Sequence, residues 1–403
     1  MHKYIFILGR NQELSVAETK AVLNSGQFEL EPGFLVYSSE KEIDADKLMN
    51  QLGGTIKIAK VFADKIDQDQ IIEQILSNTQ KGKKVYFGFS QYGQGQNINK
   101  IAHDIKKTIK EKGYPVRWVI SKEKQLSSVV VKKNKLLSQG AEIIITKNHV
   151  AKTLAVQDFE EYGRRDFGRP ARDTVSGTMP PKLAKIMINL TQVSQQAKIL
   201  DPFCGSGTVL QEALVLGYNN VIGSDISQKA VDDTKENLEW LASQDRRDPL
   251  TSSKQDRIKE LDLPTHRVGE ALAPRRNDRA VAPDLPELYN FDVRLLSQNI
   301  KQVDAIITEP YLGPPLKGRE TSSQISKIIS DLEKLYLDAF AEFQKVLSQK
   351  GKIVIVFPII DNQHLNILPQ IKKLGFELQS PDNLIYSRPE QKVKRNILVF
   401  SKS

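Results

Sequence analysis

Apolar residues recur along this chain in two rhythms, and the change of rhythm divides it. Residues 3–9 (KYIFILG) and 33–38 (GFLVYS) are apolar runs of strand length, and residues 14–23 between them repeat apolar positions at helical spacing. Residues 85–90 alternate like a strand, a helix is predicted over 98–112, and 116–120, 129–131 and 143–146 read as further short strands. This first part is a set of small α+β units. From residue 197 the segments lengthen into βα units: strands over 197–200, 221–225, 303–307, 353–357 and 396–400, helices over 207–216, 229–241, 325–347 and 365–374. That order predicts an α/β, doubly wound, mostly parallel sheet. Residues 243–287 interrupt it with a charged, proline-dotted stretch that reads as an inserted mobile loop.

Residues 149–190 differ from both parts. They carry RRDFGRPARD at 164–173 and then MPPKLAKIMINL, in which Pro180 and Pro181 suit the first turn of a helix that needs no N–H from them. The arginines have two readings, a packed linker with surface salt bridges or contact with substrate or cofactor. The expected organisation is therefore 1–60, 61–148, a connector over 149–190, and 191–403.

Composition narrows the partners. A chain of 403 residues with 39% apolar content supports two or three packed domains. No run approaches the ~18 apolar residues of a membrane span, and Met1-His2-Lys3-Tyr4 leads straight into a strand without a cleavage site, so a cytoplasmic location is expected. Cys204 is the only cysteine, which excludes an internal disulfide, a Cys-x-x-Cys redox pair and a multi-thiolate zinc centre; no metal site is expected. The net charge of +9 is concentrated: residues 100–135 hold eleven basic and three acidic residues, with Tyr114 and Trp118 among them. RNA is the natural partner of such a patch, and a solvated face is the alternative.

Two short strings carry the chemistry, each at the end of a predicted strand, where ligands of open α/β sheets bind. In Asp201-Pro202-Phe203-Cys204-Gly205-Ser206-Gly207-Thr208, Gly205 and Gly207 let the backbone turn tightly and approach a ligand just before a helix N-terminus. A dinucleotide fingerprint wants a third glycine where Leu210 stands. Asp225, twenty residues after Gly205 and followed by Ile226, ends the next strand, where a carboxylate can accept from both ribose hydroxyls of an adenosine. S-adenosylmethionine meets these requirements, with Asp201 facing the ammonium of its methionine half and Asp292 placed to reach the adenine amine.

The second string is Thr308-Glu309-Pro310-Tyr311. An exocyclic base amine is a poor nucleophile because its lone pair is delocalised into the ring. A rigid turn with an oxygen acceptor aims that lone pair at the sulfonium methyl, and an aromatic ring holds the base plane. Glu309 or nearby main-chain carbonyls supply the acceptor, Pro310 stiffens the turn and Tyr311 stacks.

With these motifs the chain resembles the THUMP-domain tRNA guanosine-N2 methyltransferases, the group that modifies guanosine 10. The likeness runs from KYIFILGRNQELSVAE through the basic region and the connector to DPFCGSGT and TEPY. It implies a ferredoxin-like unit and a THUMP domain that grips tRNA, with Lys106, Lys107, Lys110, Lys132 and Lys133 as RNA contacts, ahead of a Rossmann-like class I methyltransferase domain. A small helper subunit is left open. The family turn is Asp-Pro-Pro-Tyr, so this chain departs from it: either Glu309 stands for the aspartate, or Tyr311 aligns and Thr308 takes the acceptor position. Lys317, Arg319, Arg388, Lys392, Lys394 and Arg395 are further candidates for phosphate contact.

Rival chemistries fare worse. Cytosine-C5 methylation needs a cysteine nucleophile, and Cys204 lies inside the cofactor turn. DNA adenine or cytosine amino-methylation uses the same turns and stays open, as does a non-catalytic tRNA-binding protein that keeps the cofactor pocket.

Overall fold

The computed structural model describes residues 1–93, 97–172, 178–245, 285–316, 318–381, 384–388 and 391–403. Eight strands make the first sheet: β1 (His2–Leu8), β2 (Gln27–Glu31), β3 (Phe34–Ser39), β4 (Thr55–Ala63), β5 (Val85–Gln91), β6 (Val116–Val119), β7 (Gly140–Ile145) and β8 (Val150–Val156), in spatial order β2-β3-β1-β4-β8-β7-β5-β6. The β5–β6 pair is parallel because helix Ile98–Glu111 crosses between them. It buries Ala102, Ile105 and Ile109, spaced three and four apart, in one cluster with Phe87, Phe89 and Ile143.

This sheet runs unbroken across the boundaries expected near 60 and 148. Strand β8 lies in the stretch expected as connector, yet it pairs with both β4 and β7. A buried polar cluster sits at that seam: Lys57 Nζ on β4 donates to Glu142 Oε1 on β7 at 2.5 Å, and the hydroxyls of Ser90 and Thr153 donate to the same carboxylate. Residues 129–131 do not form the expected strand. They lie in helix Ser128–Lys133, where Ser127 Oγ accepts from Val130 N and Val131 is buried. The cap and tertiary packing override the strand preference of three valines.

The second sheet has the expected Rossmann-like form. Strands β9 (Ile199–Asp201), β10 (Val221–Asp225), β11 (Glu287–Asn290), β12 (Val303–Thr308) and β13 (Leu347–Ile360) are parallel. Next come β14 (Gln363–His364), β15 (Phe376–Leu378), β16 (Ile385–Tyr386) and β17 (Val393–Lys402), and the main order is β11-β10-β9-β12-β13-β17-β15. Strand β17 enters antiparallel to β13. The order reverses between β9 and β12, which puts a crevice at the carboxyl ends of those strands. Of the expected insertion, residues 246–284 lie outside the described residues, and β11 takes up its far end.

Helices cover both faces of this sheet. Ser322–Val346, started by a Thr321–Gln324 capping box, buries Leu332, Tyr336, Ala339, Phe340 and Phe343 on one face. On the other, Pro181–Thr191 is buried along its length except at half-buried Lys182, packed between the sheet and helix Gln12–Leu23 of the first part. Its polar side chains tie the two parts together. Glu18 accepts from Gly53 N, Gly54 N and Asn189 Nδ2, each at 2.7 Å, and Lys185 Nζ donates to Asn50 O at 2.9 Å. Burial pushes the Glu18 carboxyl up to about 7. No helix among the described residues is long and apolar enough to cross a membrane.

Candidate active site

Strands β9 and β10 each end in a carboxylate, Asp201 and Asp225. Past Asp201 the backbone turns with Gly205 at φ +52° and Gly207 at φ +81°, both left-handed. A Cβ on Gly207 would lie 2.8 Å from Thr234 Cγ2, so this glycine permits close packing against helix Gln228–Asp245. A Cβ on Gly205 would meet nothing within 4 Å. That bare face is open to a ligand at the start of helix Thr208–Val215.

The turn is clamped to the end of β10. Gly205 N donates to Asp225 Oδ2 at 3.0 Å, Ser227 N to Asp225 Oδ1 at 2.9 Å, and Thr234 Oγ1 to the Gly205 carbonyl at 2.7 Å. Each Asp225 oxygen keeps a lone pair for a further donor, as a ribose diol requires. Ile226 is 68% exposed beside it, an apolar surface at the rim.

The second turn is fastened to the first. Thr308 Oγ1 donates to Asp201 Oδ1 at 2.6 Å, and Phe203 N donates to the same oxygen at 3.1 Å. Asp201 is only 2% exposed. Burial, helped by the nearby carboxylates of Asp225 and Glu309 and opposed by those two hydrogen bonds, raises its carboxyl to about 7. Glu309 turns the other way, into a bidentate pair with Arg395 of β17 at 2.5 and 3.0 Å. Pro310 is buried, while Tyr311 is 52% exposed. The Leu312 side chain packs against the core.

Several sequence expectations change here. Thr308 is fully buried and points down to Asp201, so its hydroxyl is not an acceptor facing the crevice. Glu309 spends its carboxylate on Arg395, and Arg395, expected at phosphate, is 6% exposed. The Asp292 carboxylate closes on Arg294, at 2.9 and 2.5 Å, and that guanidinium holds it below the usual carboxylate range. Among the basic residues, Lys107, Lys110 and Lys133 are exposed and Lys106 is half-buried. Lys132 is taken by Asp158 and Glu160 at 3.0 and 2.8 Å. Lys317 lies outside the described residues.

The connector arginines divide. Arg165 forms a buried pair with Glu212 at 2.6 Å, the packed-linker reading, whereas Arg169 Nη1 donates to Thr208 Oγ1 of the cofactor turn at 2.7 Å. Thr234, Asn237 and Asn290 belong to no motif in the sequence. Asn237 Nδ2 donates to the carbonyls of Ala171 and Ser206, and Asn290 Nδ2 to those of Asp225 and Ile226. For the first two a signal existed: Thr234 and Asn237 share the buried face of their helix with Val231, Leu238 and Leu241.

Residues 169–365 match the family model described as RMKL-like, methyltransferase domain, and residues 48–236 match one described as DNA methylase. Residues 169–365, which carry both turns, thus match a methyltransferase domain, and S-adenosylmethionine is the cofactor of that class. The likeness to the tRNA guanine-N2 methyltransferases is borne out by curated relatives. A tRNA (guanine(10)-N2)-dimethyltransferase of Methanothermobacter thermautotrophicus is 49% identical over 63 residues, 16% of this chain and 18% of that one. One of Methanocaldococcus jannaschii is 29% identical over 198 residues, 49% of this chain and 46% of that one. The chain thus spans less than half the length of either. The crystal structure of TrmN from Thermus thermophilus covers all of both chains at 13% identity with a TM-score of 0.50, a likeness of fold.

Proposed function

We propose that this chain transfers a methyl group from S-adenosylmethionine to the N2 amine of a guanosine in tRNA, with guanosine 10 as the favoured position. The observation that carries this reading is the junction of the two turns. Thr308 bonded to Asp201 sets the residues after β12 directly beside the glycine turn, so a base amine held by one faces a cofactor held by the other. When bound, the cofactor supplies a sulfonium methyl. Gly205 would leave room for it, Asp225 would accept from its ribose, and Asp201 would offer its carboxylate to its ammonium. With the Glu309 carboxylate engaged by Arg395, the main-chain carbonyls of Glu309 and Pro310 become the acceptors for the amine, and exposed Tyr311 covers the base.

In this reading residues 1–60 are a ferredoxin-like unit and residues 61–148 a THUMP-like domain, with Lys107, Lys110 and Lys133 on tRNA phosphates and the connector leading to a methyltransferase domain in the cytoplasm. Structured RNA is gripped by shape and backbone, as such a basic surface does. The match to a DNA methylase model over residues 48–236 favours a second reading, amino-methylation of DNA. Tritium transfer from labelled cofactor to tRNA and to duplex DNA separates the two. Nucleoside mass spectrometry of the product then counts the methyl groups on guanosine, and label in DNA alone would overturn the first reading.

A further inference from the structure

A cleft of about 450 Å³ opens between the first sheet and the carboxyl rim of the second. One wall is the loop after β1, with Arg10 and Asn11; the other is the loop joining β16 to β17, with Arg388. The two walls touch where Ser387 N donates to Asn11 Oδ1 at 3.4 Å. Helix Phe159–Phe167 and the start of helix Pro181–Thr191, with Lys182, complete the lining. Both sheets contribute, so the cleft exists only in the whole folded chain.

Its chemistry is that of an anion site with an aromatic edge. Arg10, Lys182 and Arg388 converge on it against, among the described residues, a single acid, Asp166. Among the described residues, none of these three cations has an ion-pair partner within salt-bridge distance. Lys182 Nζ donates to the neutral Gln157 Oε1 at 2.5 Å and lies 5.2 Å from the centre of the Tyr162 ring, and burial lowers its pKa from the usual lysine value. It is a half-buried cation whose burial outweighs the attraction of Asp166. Phe167 stands 66% exposed at the edge, with the Arg172 guanidinium 5.3 Å from its ring centre. A basic groove beside an exposed ring is how proteins hold single-stranded nucleotides, by phosphate attraction and base stacking.

Position links the cleft to the reaction. Tyr386, on its wall, is the register partner of Arg395, the residue that holds Glu309. We propose that the cleft formed by Arg10, Lys182, Arg388 and Phe167 holds an unpaired RNA nucleotide next to the methylated base, its phosphate among the three cations and its base on Phe167. This rests on the tRNA methyltransferase reading above. A volume of about 450 Å³ lies within the ~300–1,000 Å³ of ligand pockets.

Photo-cross-linking tests it directly. The full chain is irradiated with tRNA transcripts carrying 4-thiouridine, and the adducts are mapped by mass spectrometry. Cross-links are expected within residues 159–167 or 386–388. The double variant Arg10→Ala/Arg388→Ala, at exposed positions, is expected to weaken tRNA binding about tenfold and to flatten its salt dependence by roughly two phosphate contacts. Calorimetric affinity for adenosylhomocysteine should stay that of the parent protein. Phe167→Ala should weaken tRNA binding without changing the salt slope. If the parent chain methylates tRNA while cross-links fall elsewhere and the double variant binds tRNA normally, the cleft proposal alone is overturned. If the parent neither binds nor methylates tRNA, both readings fall together.

Discussion

Among the described residues, the strands of each sheet bury one carboxylate, and the two are treated in opposite ways. Glu142, at the seam of the first sheet, receives an ammonium and two hydroxyls, so its charge is compensated within the protein. Asp201, at the rim of the second, receives one hydroxyl and one amide and, among the described residues, no cation, with Asp225 and Glu309 nearby. A buried charge supplied with its own partners holds structure together, whereas one left without a counter-ion at a strand end fits the proposed role of meeting a cation brought by a ligand. The contrast separates a scaffold from a site without reference to any relative.

The largest expected effect comes from breaking the compensated pair. Lys57→Met leaves Glu142 buried with hydroxyls alone and should destabilise the first sheet by about 3–5 kcal/mol in urea unfolding, with cofactor affinity unchanged in the folded protein. A loss below 1 kcal/mol would mean that Glu142 is not the keystone of that seam.

The uncompensated carboxylate should behave conversely. Asp201→Ala should weaken adenosylhomocysteine binding by about 10–100-fold, the worth of a charged hydrogen bond at roughly 1.5–3 kcal/mol. Its folded pKa of about 7 lies above the ordinary aspartate value of 3.8, so the folded state holds this proton more tightly than the unfolded one. The stability contributed by that proton is present below about pH 4 and lost as the pH rises through 7. Asp201→Asn should therefore raise the Tm of the ligand-free protein most at pH 8, less at pH 5, and leave it nearly unchanged only below about pH 4. A ligand ammonium favours the ionised carboxylate, so binding below pH 7 should release a proton. Calorimetry in buffers of different ionisation enthalpy would register that release, and equal heats in all of them would remove Asp201 from the ligand's surroundings.

Smaller effects sharpen the site further. Glu309→Ala and Tyr311→Ala should each slow single-turnover methyl transfer at least tenfold, about 1.4 kcal/mol of barrier. Arg395→Met should reproduce the Glu309→Ala defect, because the pair acts as one brace; if Arg395→Met is harmless, Glu309 works without it. The least effect belongs to the basic surface. Lys107→Gln or Lys133→Gln should each reduce the salt slope of tRNA binding by about 0.7–0.9, and Lys132→Gln should leave it unchanged, since two carboxylates already hold that lysine.

The sequence by itself determined the alternation of strands and helices in the second part, the two strand-end turns and the lone cysteine that removed rival chemistries. All are local: a glycine's freedom, a proline's fixed φ and the spacing of apolar residues act within a few positions of themselves. Only the tertiary structure decided which charges are compensated. Arg395 follows Glu309 by 86 residues, and Lys57 precedes Glu142 by 85, so no spacing announces either pair. It also decided that β8 belongs to the first sheet and that three valines form a helix. Those outcomes depend on what packs around a segment, and burial, which sets the cost of every charge and every unpaired hydrogen-bonding group, exists only once the chain has closed on itself.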